Sequence, residues 1–230
     1  NNYFITLITF EFLQNTARNV LSYGDAVKDS FPLKSLLTLF IEGMYAASYE
    51  SWQRWEFSCY VGVGAVLLAV LGVVKRSDSE PVFFAFLALL SLFLLLGENT
   101  PLYKLFYHVM PGFKFFRVPA RFGYLFAFAI SVLSACGFYS LTSWRDSGGN
   151  KMMLGLAAFL LLPGLSALAL DFIQYHVVKY AVISSITLLA IFAVVRLGEN
   201  QRAFKYVLIL VILADLFLAR NLRNQMNMGG

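Results

Sequence analysis

Residues 122–141 read FGYLFAFAISVLSACGFYSL, twenty consecutive positions without a charged side chain. A bilayer's hydrocarbon core needs about 20 predominantly apolar residues in a helix to cross it. Working outward, five further runs have the same character: 57–74, 81–97, 152–170, 179–196 and 204–219. The run 81–97, PVFFAFLALLSLFLLLG, is likewise free of charge. Each run can satisfy its own backbone as a helix, the only spanning form apart from a closed barrel. The expected fold is therefore all-α, a polytopic integral membrane bundle of about six transmembrane helices with added interfacial or re-entrant helices.

Composition agrees with that reading. Of 230 residues 59% are hydrophobic and 13% charged, with mean hydropathy +0.70, against about 25% charged in soluble domains. This excludes an ordinary water-soluble fold, a disordered chain and a disulfide scaffold. Three divisions are expected. Residues 1–56 hold the end of a truncated helix (3–13) and an outer-face segment with interfacial helices. Residues 57–219 form the six-helix region, and 220–230 an outer-face tail. In the first division the apolar patch Leu33 to Ala47 is interrupted by Lys34, Ser35 and Glu42, which suits an interfacial or re-entrant helix.

Loop charge sets the orientation. Lys75, Arg76, Arg145, Lys151, Arg196, Arg202 and Lys205 flank three short loops, 75–80, 142–151 and 197–203. Basic residues concentrate in short cytoplasmic loops, so these loops face the cytoplasm and 98–121 lies on the outer face. That outer segment nonetheless carries Lys104, Lys114, Arg117 and Arg121, against the usual bias. The net charge of +5 is explained by topology and makes no case for nucleic acid.

The outer segment has its own punctuation. Thr100-Pro101 suits a helix start and Pro111-Gly112 a stop, so 101–109 reads as a short amphipathic helix in the interface. Arg117 and Arg121 are four apart with Pro119 between, a spacing that does not place them on one helical face. Arginine forks bidentately onto phosphate. The cluster therefore reads as a pocket for the phosphate of a lipid-linked substrate, as anchors for lipid headgroups, or as partners of Glu98 or Glu56.

Other chemistry is sparse. Small residues at Ser58, Gly62, Ala65, Ala69 and Gly72, and at Gly123, Ala127, Ser131 and Ser134, allow close helix approach. The phenylalanines of 81–97 suit a lipid-facing surface. Pro163-Gly164 marks a kink or a broken helix lining a site. Asp215, inside the last apolar run, reads as an interfacial hydrogen-bonded acid or as a functional intramembrane group. His108 and His176 have no metal-like spacing, so no metal or cofactor is expected. No phosphate-cradling glycine loop, zinc motif or nucleophile elbow occurs, and the spacing of Glu42, Glu50 and Glu56 singles out none of them.

The run Gly97 to Phe122 resembles the YfhO family of bacterial membrane proteins. It does so in its opening Thr100-Pro101-Leu102-Tyr103, its centre Pro111-Gly112-Phe113 and its close Phe116-Arg117-Val118-Pro119-Ala120-Arg121-Phe122. The patch Leu36 to Phe40, Tyr60-Val61-Gly62 and Asp215-Leu216 agree with that family in order, although Ile41-Glu42-Gly43 stands where the family often has proline. The resemblance implies a multi-pass protein of the bacterial cytoplasmic membrane related to GT-C glycosyltransferases. Such an enzyme takes a sugar from a polyprenyl-phosphate donor among the membrane lipids and passes it to an envelope polymer acceptor. Its catalytic acid is expected upstream of residue 1. Substrate contacts are expected from Arg117, Arg121 and Lys114, with Tyr103 and Tyr107 stacking on sugar or prenyl chain or anchoring in the interface. A transporter or flippase for a lipid-linked or anionic solute, or a noncatalytic scaffold, are the alternatives.

Overall fold

The computed structural model describes residues 11, 22–39, 56–57, 59–75, 79–145, 186–187, 190 and 201–228. Among them the fold is helical with no strand. The helices are α1 (Tyr23–Val27), α2 (Val63–Lys75), α3 (Ser79–Leu95), α4 (Pro101–Val109), α5 (Phe122–Arg145) and α6 (Gln201–Met228), with a 3-10 segment at Leu33–Leu39. Single 3-10 turns at Gly97–Asn99, Phe113–Phe115 and Pro119–Arg121 join α3 to α4 and α4 to α5.

One helix among the described residues, Pro119–Ser140, is long and apolar enough to cross a membrane. The apolar helices Val63–Val74 and Ser79–Leu95 are shorter. At about 1.5 Å per residue, α3 reaches about 26 Å and α2 about 20 Å. Hydropathy over 57–74 anticipates a longer helix than α2. The helix starts late because Gly62 has φ +89°, a conformation that ends regular α geometry and is open to glycine. The expected spans 152–170 and 179–196, and Pro163-Gly164, lie outside the described residues apart from 186, 187 and 190. Helix α6 covers the expected 204–219 and continues through the 219/220 boundary to Met228.

Part of the small-residue stripe forms a helix–helix seam: Gly72 and Ser134 lie in it, while Gly62 faces Asp215 and Leu216 of α6 and Ser131 is exposed. Helices α2 and α5 approach so closely that a Cβ on Gly72 or on Gly137 would overlap backbone of the other helix. Ser134 Oγ donates to the Ala65 carbonyl across the seam at 2.7 Å. Helix α3 packs on the other side of α5, with Phe84 edge-on to Phe128. Its remaining aromatic face, Phe83, Phe86 and Phe93, is exposed.

Residues 22–39 dock onto the end of α3. Phe31 N–H donates to the Leu95 carbonyl at 3.0 Å, and Asn99 Nδ2 donates to the Phe31 carbonyl at 3.2 Å. Phe31 is buried in a core with Leu95, Leu96, Val118 and Ala120. Helix α4 covers 101–109 as its punctuation predicts, but Thr100 does not cap it through its side chain. Thr100 Oγ1 donates instead to the Phe93 carbonyl at 2.8 Å, satisfying one of the orphan acceptors at the end of α3.

Candidate functional site: an arginine-bearing groove and two carboxylates

The junction between α4 and α5 carries the chemistry. Phe116 to Phe122 folds as an extended residue, a left-handed residue and one 3-10 turn. The left-handed residue is Val118, at φ +63°. Such a backbone is strained for a β-branched side chain and doubly so before proline. The kink turns Arg117 and Arg121 onto one groove despite the intervening Pro119. The groove holds about 580 Å³ and is walled by Phe116, Tyr124, Leu125 and Phe128 as well as the two arginines. Two arginines in the lining of an otherwise mostly aromatic and aliphatic groove fit an anionic head with a hydrocarbon tail.

Arg121 is already engaged on its other side. Its Nε and Nη2 donate to Glu56 Oε1 at 3.0 and 2.9 Å. Of the partners weighed for the basic cluster, Glu56 is the one Arg121 takes. Glu56 Oε2 is buried and has no hydrogen-bond partner among the described residues. Glu56 also lines a second, smaller cavity of about 180 Å³, with Tyr60, Val61, Ala120, Arg121 and Tyr124. Arg121 and Tyr124 line both cavities. Arg117 makes no hydrogen bond or ion pair among the described residues, though its charge and that of Lys28 help hold the Asp25 carboxyl below its usual range. The larger cause there is the Ser22 hydroxyl hydrogen-bonded to that carboxyl.

The other anticipated residues go elsewhere. Lys114 lies over the Tyr107 ring, 5.7 Å from its centre, in cation–π contact and away from the groove lining. Tyr103 is fully buried, edge-on to Phe113 at 5.2 Å. Its hydroxyl lies 3.4 Å from the carbonyls of Ala26 and Phe116. Burial, with smaller contributions from Tyr23 and Tyr107, pushes its phenol up to about 12. Tyr107 is buried in the same cluster, edge-on to Tyr23. Both tyrosines thus tie α1, α4 and the 113–115 turn together, and the groove's exposed aromatic is Tyr124 instead.

A second carboxylate, Asp215, is hydrogen-bonded to Tyr60 of the small cavity's lining. Asp215 is 1% exposed, and Tyr60 Oη donates to its two oxygens at 2.9 and 3.0 Å. Thr187 Oγ1 donates at 3.3 Å, and Val63 supplies a backbone hydrogen bond. Val63 is the first residue of α2, so Asp215 satisfies an orphan donor at a helix N-terminus. A Cβ on Gly62 would come within 3.4 Å of Asp215 Oδ2 and 3.2 Å of Leu216. Spacing alone does not reveal Glu56 or Tyr60; their partners are 65 and 155 residues away. Among the described residues no three metal-ligating side chains gather.

Comparison with protein-family models, with curated proteins and with solved structures finds no match to this chain.

Proposed function

We propose that this chain is a multi-pass membrane portion of a GT-C-like glycosyltransferase, YfhO-like in its 97–122 segment. It uses a polyprenyl-phosphate-linked sugar to modify a cell-envelope polymer or glycan. The observation that carries the reading is the convergence of Arg117 and Arg121 on one apolar groove. The carrier's phosphate sits against the guanidiniums and its prenyl chain runs along Tyr124, Leu125 and Phe128 into lipid. Fixed positive charge there stabilises the negative charge that builds on the phosphate as the sugar leaves. Segment 98–121 is then on the outer face of the bacterial cytoplasmic membrane, where such carriers present their sugars. Lys114 contributes to the local positive field rather than to direct contact.

The test replaces Arg117 and Arg121 singly by Lys in the full-length protein. A bidentate arginine–phosphate contact contributes about 1.5–3 kcal/mol. Each variant is expected to bind the carrier at least about tenfold more weakly and to lose polymer glycosylation in proportion. Unchanged binding and transfer refute the phosphate role.

The buried Asp215 favours one second reading, a transporter or flippase of an anionic or lipid-linked solute with Asp215 as its coupling acid. That reading requires substrate flux in reconstituted vesicles that Asp215→Asn abolishes, with no sugar reaching an acceptor.

A further inference from the structure

Three left-handed backbones adjoin one contact. Asp29 has φ +65°, Gly97 φ +52° and Val118 φ +63°. Asp29 precedes Ser30 and Val118 precedes Pro119, and it is Ser30 and Pro119 that pack on Gly97. A Cβ on Gly97 would run into Ser30 Oγ and lie 2.9 Å from Pro119 Cγ. The Ser30 hydroxyl also accepts the Glu98 N–H at 3.0 Å and donates to the Val27 carbonyl. Residues 22–39, the 97–99 turn and the 119–121 turn therefore close on one another at a point with no room for a side chain.

The strain falls on Val118. A left-handed β-branched residue persists only where its surroundings over-determine it, and part of those surroundings comes from residues 22–39. The Val118 side chain is buried in one core with Phe31, Leu95 and Leu96. Phe31 is itself fixed by its backbone bonds to Leu95 and Asn99. On the other side, the Arg121 N–H donates to the Val118 carbonyl at 3.1 Å. The two dihedrals of Val118 lie between Arg117 and Arg121 in the chain, so they set how the two arginines stand relative to each other. An extended Val118, the conformation that a following proline favours, would re-aim Arg117 away from the groove that both arginines line.

We propose that residues 22–39 form a clamp that positions the arginine pair. Ser30 and Phe31, acting through Gly97 and the buried Val118 side chain, hold Val118 left-handed and so fix Arg117 relative to Arg121. Ser30 and Gly97 are positioning residues, and neither lines the groove. The inference rests on the proposed phosphate groove for the use of the clamp, whereas the clamp itself rests on backbone geometry and packing.

Hydrogen–deuterium exchange of the full chain in lipid nanodiscs reads the clamp without a ligand. Ser30→Ala removes the acceptor of the Glu98 N–H and is expected to quicken exchange in 22–39 and 97–99. It is also expected to quicken exchange in 116–122 by at least about threefold, the small end of coupling between residues in one network. Val118→Gly accepts a positive φ but also many other backbones, and is expected to quicken 116–122 as well. Native mass spectrometry with a polyprenyl monophosphate then reads the consequence. Ser30→Ala and Val118→Gly are each expected to weaken binding at least about threefold, and Arg117→Gln by more. Beside Arg117→Gln, the losses from Ser30→Ala and Val118→Gly are expected to shrink to within about 1.5-fold. The relative placement of two arginines no longer matters there, and Arg121 stays paired with Glu56.

The proposal is overturned if Ser30→Ala leaves exchange in 116–122 at the wild-type rate, which would make its role local. It is also overturned if the binding losses persist in full beside Arg117→Gln, which would mark a general loosening of the fold. If Arg117→Gln alone binds as wild type does, the phosphate reading falls, and exchange in 116–122 after Ser30→Ala still decides for or against the clamp.

Discussion

Tyr60 and Asp215, 155 positions apart, are joined by a bifurcated hydrogen bond of 2.9 and 3.0 Å from the phenol to both carboxylate oxygens. This contact fastens α6 to the start of α2. Hydrogen bonds to a charged group contribute about 1.5–3 kcal/mol. Tyr60→Phe is expected to destabilise the chain by that amount, because it removes the phenol donor from a buried acid. A double-mutant cycle with Asp215→Asn, followed by thermal unfolding in lipid nanodiscs, should show a coupling of at least about 1 kcal/mol. Additive losses would mean that the two residues do not act together.

Gly137 gives a prediction whose sign opposes helix propensity. Alanine is favoured over glycine inside a helix by about 1 kcal/mol. At this site, however, its Cβ would overlap the Leu68 carbonyl of the facing helix. Gly137→Ala is therefore expected to destabilise by about 1–3 kcal/mol, the range for overpacked interiors, read as a fall in unfolding temperature. An unchanged or higher temperature would show that the α2–α5 seam is looser than described.

The Tyr103 phenol makes stability depend on alkaline pH. Unfolded, it titrates near 10; folded, near 12. Below pH 10 both states hold the proton and the stability is fully present. Between about pH 10 and 12 the unfolded state gives up its proton first, so stability falls as pH rises. The loss attributable to this residue is on the order of 2–3 kcal/mol. Thermal unfolding of wild type and Tyr103→Phe from pH 9 to 12 should show a steeper decline in wild type. Parallel curves would contradict the burial of that phenol.

Arg121 and Arg117 differ in what they leave behind. Arg121→Gln strips Glu56 of its ion-pair partner, and the arginine is itself well exposed, so the expected loss is modest, about 0.5–1.5 kcal/mol. Arg117→Gln is expected to stay within about 0.5 kcal/mol of wild type. Equal losses in urea unfolding would remove the structural distinction between the two.

The local grammar of this chain was legible where signals lie within a few residues of each other. Thr100-Pro101 and Pro111-Gly112 bracket α4 because proline tolerates the first turn and a Pro-Gly pair stops the last. The uncharged runs at 81–97 and 122–141 coincide with α3 and α5. Of the alternating small residues, Gly72 and Ser134 mark the seam between α2 and α5, whereas Gly62 faces α6. Span length was less legible at 57–74, since hydropathy does not register the positive φ at Gly62.

Composition and periodicity determined by themselves that this chain is helical and carries apolar surface suited to lipid, because both depend on the side chains of one short segment at a time. Only the tertiary structure decided which charges meet. The sequence leaves both Glu56 and Glu98 open as partners of the basic cluster, and Glu56 is the one that reaches Arg121, across 65 residues. Tyr103 and Tyr107 look like surface aromatics on an amphipathic helix, yet the docking of 22–39 and the 113–115 turn buries them. Tyr124, one aromatic among many in an apolar run, lines both cavities. The physical reason is common to all three. An ion pair, a burial or a cavity wall depends on where two distant backbones are brought together, and no local propensity encodes that distance.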